Sequence, residues 1–202
     1  MNLGNRIKWT LTAALTALFL FMAVEQSALA ADVGGVKLDD TMQVAGKELK
    51  LNGAGFRIKG IFFKLYVAGL YLPQKAGTPA EVQGIDGPRR MTLVMQREIS
   101  SEDFGNAFMK GLNENSDKKE KSAIVNQTMA FGEMFASLPG LKKGDVLYLD
   151  WIPGTGTQAT LNGKKMGESL PGVAFYNAVL RIWLGENAVD DALKPQLLGK
   201  KG

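Results

Sequence analysis

Gly55-Phe56-Arg57-Ile58-Lys59-Gly60-Ile61-Phe62-Phe63-Lys64-Leu65-Tyr66-Val67-Ala68-Gly69-Leu70-Tyr71-Leu72 is dense in aromatic and β-branched residues. Such a run reads as one central strand, apolar on both faces. Gly60 and Gly69 are its candidate bends, since glycine inside a strand marks a kink or a close approach. Three cations, Arg57, Lys59 and Lys64, punctuate the run. A buried cation is costly unless paired, so each either extends its charged end past an edge or meets an anionic partner. Arg57 and Lys64 are therefore candidate contacts for a carboxylate or an enolate.

The neighbouring segments alternate in the same way. Met42, Val44, Leu49 and Leu51 stand between polar residues, and Asn52-Gly53 after them predicts a hairpin turn. Over 89–98, Met91, Leu93 and Met95 alternate with Thr92, Val94 and Gln96, which predicts another strand. The period then becomes helical: Ser100 or Ser101 with Asp103 supplies an N-cap, and Phe104, Phe108, Met109 and Leu112 share one face. A second helix is expected over 121–136, ending at Leu138-Pro139-Gly140. Strands at 146–151, 158–161 and 164–166 follow, the last two joined by Asn162-Gly163. A final helix over 172–184 ends at the C-cap Gly185. The order of strands, two helices, strands and helix predicts an α+β fold, a large antiparallel sheet covered on one face by helices.

The first thirty residues carry the parts of an export signal: Arg6 and Lys8, an apolar run from Leu11 to Val24, and Ala28-Leu29-Ala30 as a small-x-small cleavage site. The run is shorter than the ~20 residues that span a bilayer, and no later stretch is long enough. The expectation is a cleavable signal over 1–30 and one domain over 31–202, working in a periplasm or secreted. Without Arg6, Lys8 and Glu25 the chain keeps 22 basic and 19 acidic residues. That balance, with no clustered basic face, argues against nucleic acid as a partner. The chain contains no Cys and no His, which removes disulfides, the usual zinc sites, Ser-His-Asp triads and thiol nucleophiles. No metal or cofactor is expected.

Other motifs read as structure. Gly154-Thr155-Gly156 looks like a phosphate loop, but a strand follows it where a helix N-terminus would be needed. Asp145, Asp150 and Glu168 have no spacing that brings them together, and turn or cap roles suit them. Phe104, Phe108, Met129, Phe131, Met134 and Phe135 form an apolar stripe that either fills the core or lines a cleft between helices and sheet.

The quoted stretch also resembles the core strand of the chalcone isomerase family, in which a Gly, a Lys, a Gly and a Tyr-Leu pair recur at this spacing. Lys142-Lys143-Gly144-Asp145-Val146 is similar to that family's turn into its later strands. Val179 to Val189, with Leu193-Lys194 beyond, resembles its last helix and exit. The resemblance runs from about Val36 to Leu198 and is nearest to an exported bacterial branch. It implies an open-faced β-sandwich with a cleft between sheet and helices. In the plant enzymes that cleft closes a chalcone into a flavanone, and in related non-catalytic plant members it binds fatty acid. Carried onto this chain, the family's catalytic arginine falls on Ala54 and its strand threonine on Tyr66. Its tyrosine falls on Phe104, its asparagine on Gly111 and its final-helix threonine on Ile182. All five polar roles are replaced, so no catalytic residue is expected.

Three functions stay open on the residues. One is a binder of a fatty acid or other apolar small molecule, with Tyr66, Phe104 and Phe108 as walls and Arg57 and Lys64 as polar contacts. A second is an enzyme of isomerase or lyase type using other residues, Tyr66 as acid supported by Lys64 or Arg57. The third is a scaffold with a filled core and an unknown protein partner. The export reading predicts that intact-mass analysis of the protein recovered from the cell envelope finds a chain starting at Ala31. Recovery of the unprocessed chain from the cytosol would overturn it.

Overall fold

The computed structural model describes residues 30–60 and 62–200. The export signal expected over 1–30 lies outside them, apart from Ala30. Two strands, β1 (Ala30–Val33) and β2 (Val36–Asp39), form a small ribbon. Seven more form one antiparallel sheet in chain order: β3 (Thr41–Val44), β4 (Lys47–Lys59), β5 (Phe63–Leu72), β6 (Arg89–Met95), β7 (Val146–Ile152), β8 (Gly156–Leu161) and β9 (Lys164–Leu170). The helices are α1 (Pro79–Gly84), α2 (Ser101–Glu114), α3 (Lys118–Ala123), α4 (Val125–Ala136), α5 (Val173–Leu184) and α6 (Leu193–Leu197). No helix among the described residues is long and apolar enough to cross a membrane.

The sheet has two unlike faces. On one, Tyr66, Ala68, Leu70 and Leu72 of β5 join Met91, Leu93, Met95, Leu147 and Leu149 under α2, α4 and α5. On the other, Val67 and Tyr71 pack with Leu38, Leu49 and Leu51, and the β1–β2 ribbon covers part of that surface. The Tyr71 hydroxyl donates to the Asp39 carbonyl oxygen at 2.8 Å, tying the ribbon down. Helices on one side and a two-stranded flap on the other make the α+β, open-faced sandwich expected from the sequence.

Several elements differ from the expectation, each for a local reason. The stretch from Phe56 to Leu72 is two adjacent strands: β4 ends at Lys59, Gly60 adopts φ 65°, and β5 starts at Phe63. Gly69 is no bend; it pairs with Ala54 inside the ladder. Asn52-Gly53 is not a turn, and the reversal falls at Ala45-Gly46, with φ 49° and 74°. Asn52 is instead the extra residue of a bulge in β4, between Leu51 paired with Tyr71 and Gly53 paired with Leu70. Its amide donates to the carbonyl oxygens of Ala76 and Leu197 and accepts from the Ala76 N–H. A side chain so committed joins three segments rather than turning one. Next to it a Cβ on Gly53 would lie 1.9 Å from the Gln196 oxygen, so glycine is what lets α6 lie against β4.

The helix expected over 121–136 is broken at Ile124, which leaves helical geometry at φ −113° and separates α3 from α4. The apolar stripe divides as well. Phe131 and Phe135 are core, stacked on Phe108 at 4.3 Å and on Phe104 at 4.7 Å between ring centres, while Met129 points to solvent.

Asp150 is buried rather than placed in a surface turn. Both its oxygens accept from Arg90, at 2.6 and 2.7 Å, and the Arg90 guanidinium lies 4.0 Å from the Tyr148 ring centre. Burial pushes the Asp150 carboxyl up, and the guanidinium pulls against that shift. Breaking such a pair leaves an uncompensated buried charge. Asp150→Ala is expected to lower unfolding stability by about 3–5 kcal/mol in urea titrations. The pair Arg90→Met and Asp150→Leu together is expected to restore most of it, and a single variant as stable as the parent would show the pair to be dispensable.

Candidate functional site

Opposite residues of an antiparallel pair share a face. Arg57 pairs with Tyr66 in the β4–β5 ladder, so both belong to the face on which Tyr66 is packed, the one under the helices. Beyond Arg57 the register slips: Ile58 pairs with Lys64 and Lys59 with Phe63, which leaves Leu65 as the extra residue of a bulge. The slip reverses the parity of the last residues of the hairpin. Phe63 and Lys59 come to the helix side, and Lys64 goes to the other, its Nζ 4.1 Å from the Phe56 ring centre.

A cleft of about 1030 Å³ opens on the helix side. Its floor is Arg57, Leu65 and Tyr66; α2 contributes Phe104, Phe108 and Gly111, and α5 contributes Ile182 and Trp183. Gly111 is where the two helices meet, since a Cβ there would lie 2.9 Å from Ile182 Cγ2. The rim is polar, with Lys59, Arg97, Glu98 and Lys110 among its side chains. A large apolar cavity with a few convergent polar groups is what small-molecule sites generally present.

Two of those polar groups are held in unusual states. The Trp183 indole N–H donates to the Tyr66 hydroxyl oxygen at 3.0 Å. Burial pushes the Tyr66 phenol up to about 12, partly offset by that hydrogen bond and by the nearby Arg57 charge. The phenol is therefore neutral, and with its oxygen engaged by Trp183 its own hydrogen has no acceptor among the described residues. Arg57 Nη1 donates to the Ile58 carbonyl oxygen and lies 3.4 Å from Asp190 Oδ2. That carboxylate is already occupied, accepting from the backbone N–H groups of Ile58, Ala192 and Leu193 at 3.0, 3.0 and 3.1 Å. Arg57 thus lines the cleft with only one terminal nitrogen committed.

Of the five residues singled out from the sequence, Arg57, Tyr66, Phe104 and Phe108 come together in this cleft and Lys64 does not. Simple alternation would set Lys64 beside Tyr66, and the bulge at Leu65 turns it away. The position assigned to a family arginine also changes. Ala54 packs against the ribbon on the far face, and Arg57 is the arginine of the cleft. The sequence reading missed Trp183 as the partner of Tyr66 and Asp190 as the partner of Arg57. Neither signal is local, since they lie 117 and 133 residues from their partners.

An antiparallel sheet with helices over one face and a cleft between them defines a class that comparison with known proteins narrows. The sequence profile of the chalcone isomerase-like family matches residues 30–199. The chain belongs to the chalcone isomerase-like family. Among solved structures, the crystal structure of a fatty-acid binding protein from Arabidopsis thaliana superposes with a TM-score of 0.62. The two share 16% identity, over 81% of this chain and 92% of that one, a likeness of fold. No curated protein matches the chain.

The state of Tyr66 has a consequence for stability. Below pH 10 the phenol is protonated in folded and unfolded chains alike, and its contribution is fully present. Between pH 10 and about 12 the unfolded chain ionises first, so stability falls as pH rises. The loss at this residue should reach roughly 2 kcal/mol by pH 12. Tyr66→Phe is expected to flatten the fall in urea unfolding compared at pH 9 and 11.5. Tyr71 and Tyr176, also pushed up by burial, should leave a remainder. An unchanged slope would mean that Tyr66 is not buried as described.

Proposed function

We propose that this chain is an exported, non-catalytic binding protein that holds a fatty acid, or another apolar small molecule with an acidic head, in the cleft between sheet and helices. The observation that carries the proposal is the pairing of Arg57 with Tyr66 on the apolar side of the sheet. A cation with uncommitted nitrogens and a neutral phenol with an unspent proton are two donors side by side, suited to a carboxylate. Phe104, Phe108 and Ile182 supply apolar wall for a hydrocarbon tail. The fold shared with a fatty-acid binding protein agrees with this reading.

Catalysis finds less support. The positions that a resemblance to chalcone isomerase would make polar on the helices are Phe104, Gly111 and Ile182, none of which has a side chain able to donate or accept. Losing one preorganised donor to a developing oxyanion typically costs roughly a hundredfold or more in rate. An enzyme using Tyr66 as its acid would need the phenol shifted toward neutrality, and burial moves it the other way.

The test is native mass spectrometry of the protein purified from its own host, organic extraction of anything carried with it, and titration of the stripped protein with a long-chain fatty acid and with its methyl ester. The acid is expected to bind at one per chain. Arg57→Gln should weaken binding of the acid by roughly tenfold or more and leave the ester nearly unaffected. Equal losses for acid and ester would remove the head-group role of Arg57. Failure of any long-chain acid to bind would sink the proposal.

A further inference from the structure

The end of the β4–β5 hairpin is the most exposed apolar feature among the described residues. Phe62 keeps 84% of its surface in water and Phe63 55%. Single exposed apolar residues are ordinary, but two adjacent phenylalanines at a projecting tip are a marked departure. The surrounding charge is mostly positive. Lys59 pairs with Phe63 across the ladder, Lys64 follows it, and the Arg97 guanidinium lies 5.0 Å from the Phe63 ring centre. Acidic groups in the neighbourhood are Glu98, on the cleft rim, Asp103, which accepts from Ser100, Asp190, held by Arg57 and three backbone amides, and Asp32, which accepts from the Gly35 N–H in the β1–β2 turn whose Gly34 lies beside Lys64. Lys59, Gly60, Phe63 and Arg97 also line the cleft, so this tip stands at its mouth.

We propose that the tip docks on an anionic lipid bilayer. Phe62 and Phe63 enter the boundary between headgroups and acyl chains, and Lys59, Lys64 and Arg97 face the lipid phosphates. Exposed aromatic residues ringed by cations have the chemistry of interfacial membrane anchors: burial of apolar area supplies attachment, and each basic residue adds attraction to an anionic surface. A projecting tip needs no complementary groove, which favours a deformable lipid surface over a shaped protein partner. Docking would turn the cleft mouth toward the bilayer, giving an apolar ligand a path that avoids water. That last step rests on the function proposed above, whereas docking itself does not.

The chain has no cysteine, so a single one can report on the tip. Phe62→Cys and, as a distant exposed control, Met129→Cys are each labelled with an environment-sensitive fluorophore. Each is mixed with vesicles of phosphatidylcholine alone or with phosphatidylglycerol added. The emission of the Phe62 label is expected to shift to the blue on anionic vesicles, with the Met129 label unchanged. In flotation assays Phe62→Ala should lower anionic-vesicle binding about fivefold or more, and Lys59→Gln and Lys64→Gln roughly fivefold each. Phe62 does not line the cleft, so Phe62→Ala should bind a long-chain acid in vesicle-free solution within about twofold of the parent. Vesicle binding with a water-exposed Phe62 label, equal binding to neutral and anionic vesicles, or no binding would each overturn the docking proposal, the last leaving a protein as the tip's partner. A docked tip on a protein that binds no acid would overturn the proposed function and leave docking standing.

Discussion

In an antiparallel ladder each side chain's face follows from parity alone until a bulge intervenes, and one such slip arranges everything at the mouth of this cleft. Through Arg57 and Tyr66 the β4–β5 pairing is regular; beyond them Leu65 is the extra residue and parity reverses. Without the reversal, Lys59 and Lys64 would oppose each other on the cleft side, two like charges against an apolar cavity. With it, Lys59 is paired with Phe63, Lys64 moves out over Phe56, and Arg57 is the cation left beside Tyr66. The removal of Lys64 from the cleft side depends on that one inserted residue.

The remainder of the site answers to this arrangement from the far end of the chain. Trp183 occupies the Tyr66 oxygen and Asp190 holds one nitrogen of Arg57. Each contact fixes the orientation of a donor while leaving donor capacity unspent. Buried polar groups are ordinarily fully paired, because an unmet donor in a low-dielectric surround costs free energy. Incomplete satisfaction at these two adjacent groups is what the proposed acidic head group would complete.

Much of the fold was legible because its signals are local. The alternation of Met91, Leu93 and Met95, the Ser100 cap and the Asn162-Gly163 reversal each announce themselves within a few residues. What was not legible depends on contacts distant in sequence. Asn52-Gly53 has the composition of a turn, yet Asn52 is claimed by Ala76 and Leu197, and Gly53 yields space to α6. Arg89 reads in the sequence only as the first residue of the strand over 89–98. It is 1% exposed, donating to the carbonyl oxygens of Val82 and Gln83 and to Asn177, which pins α1 to α5. At the site, residue type identified Arg57, Tyr66, Phe104 and Phe108, while the misplacement of Lys64 came from a bulge that no residue in the stretch declares.

The seven strands of the main sheet lie in the order in which they are synthesised, so each new strand can pair with the one just made. The cleft follows a different schedule. Its floor comes from residues 57–66 and its closing side from Ile182, Trp183 and the loop to Val189, while α6 returns to lie on β4. A growing chain can therefore hold a nearly complete sheet and still lack a cavity. The cavity closes only as residues from Ile182 onward arrive, which makes the carboxyl-terminal segment the part that encloses a space over a sheet already formed.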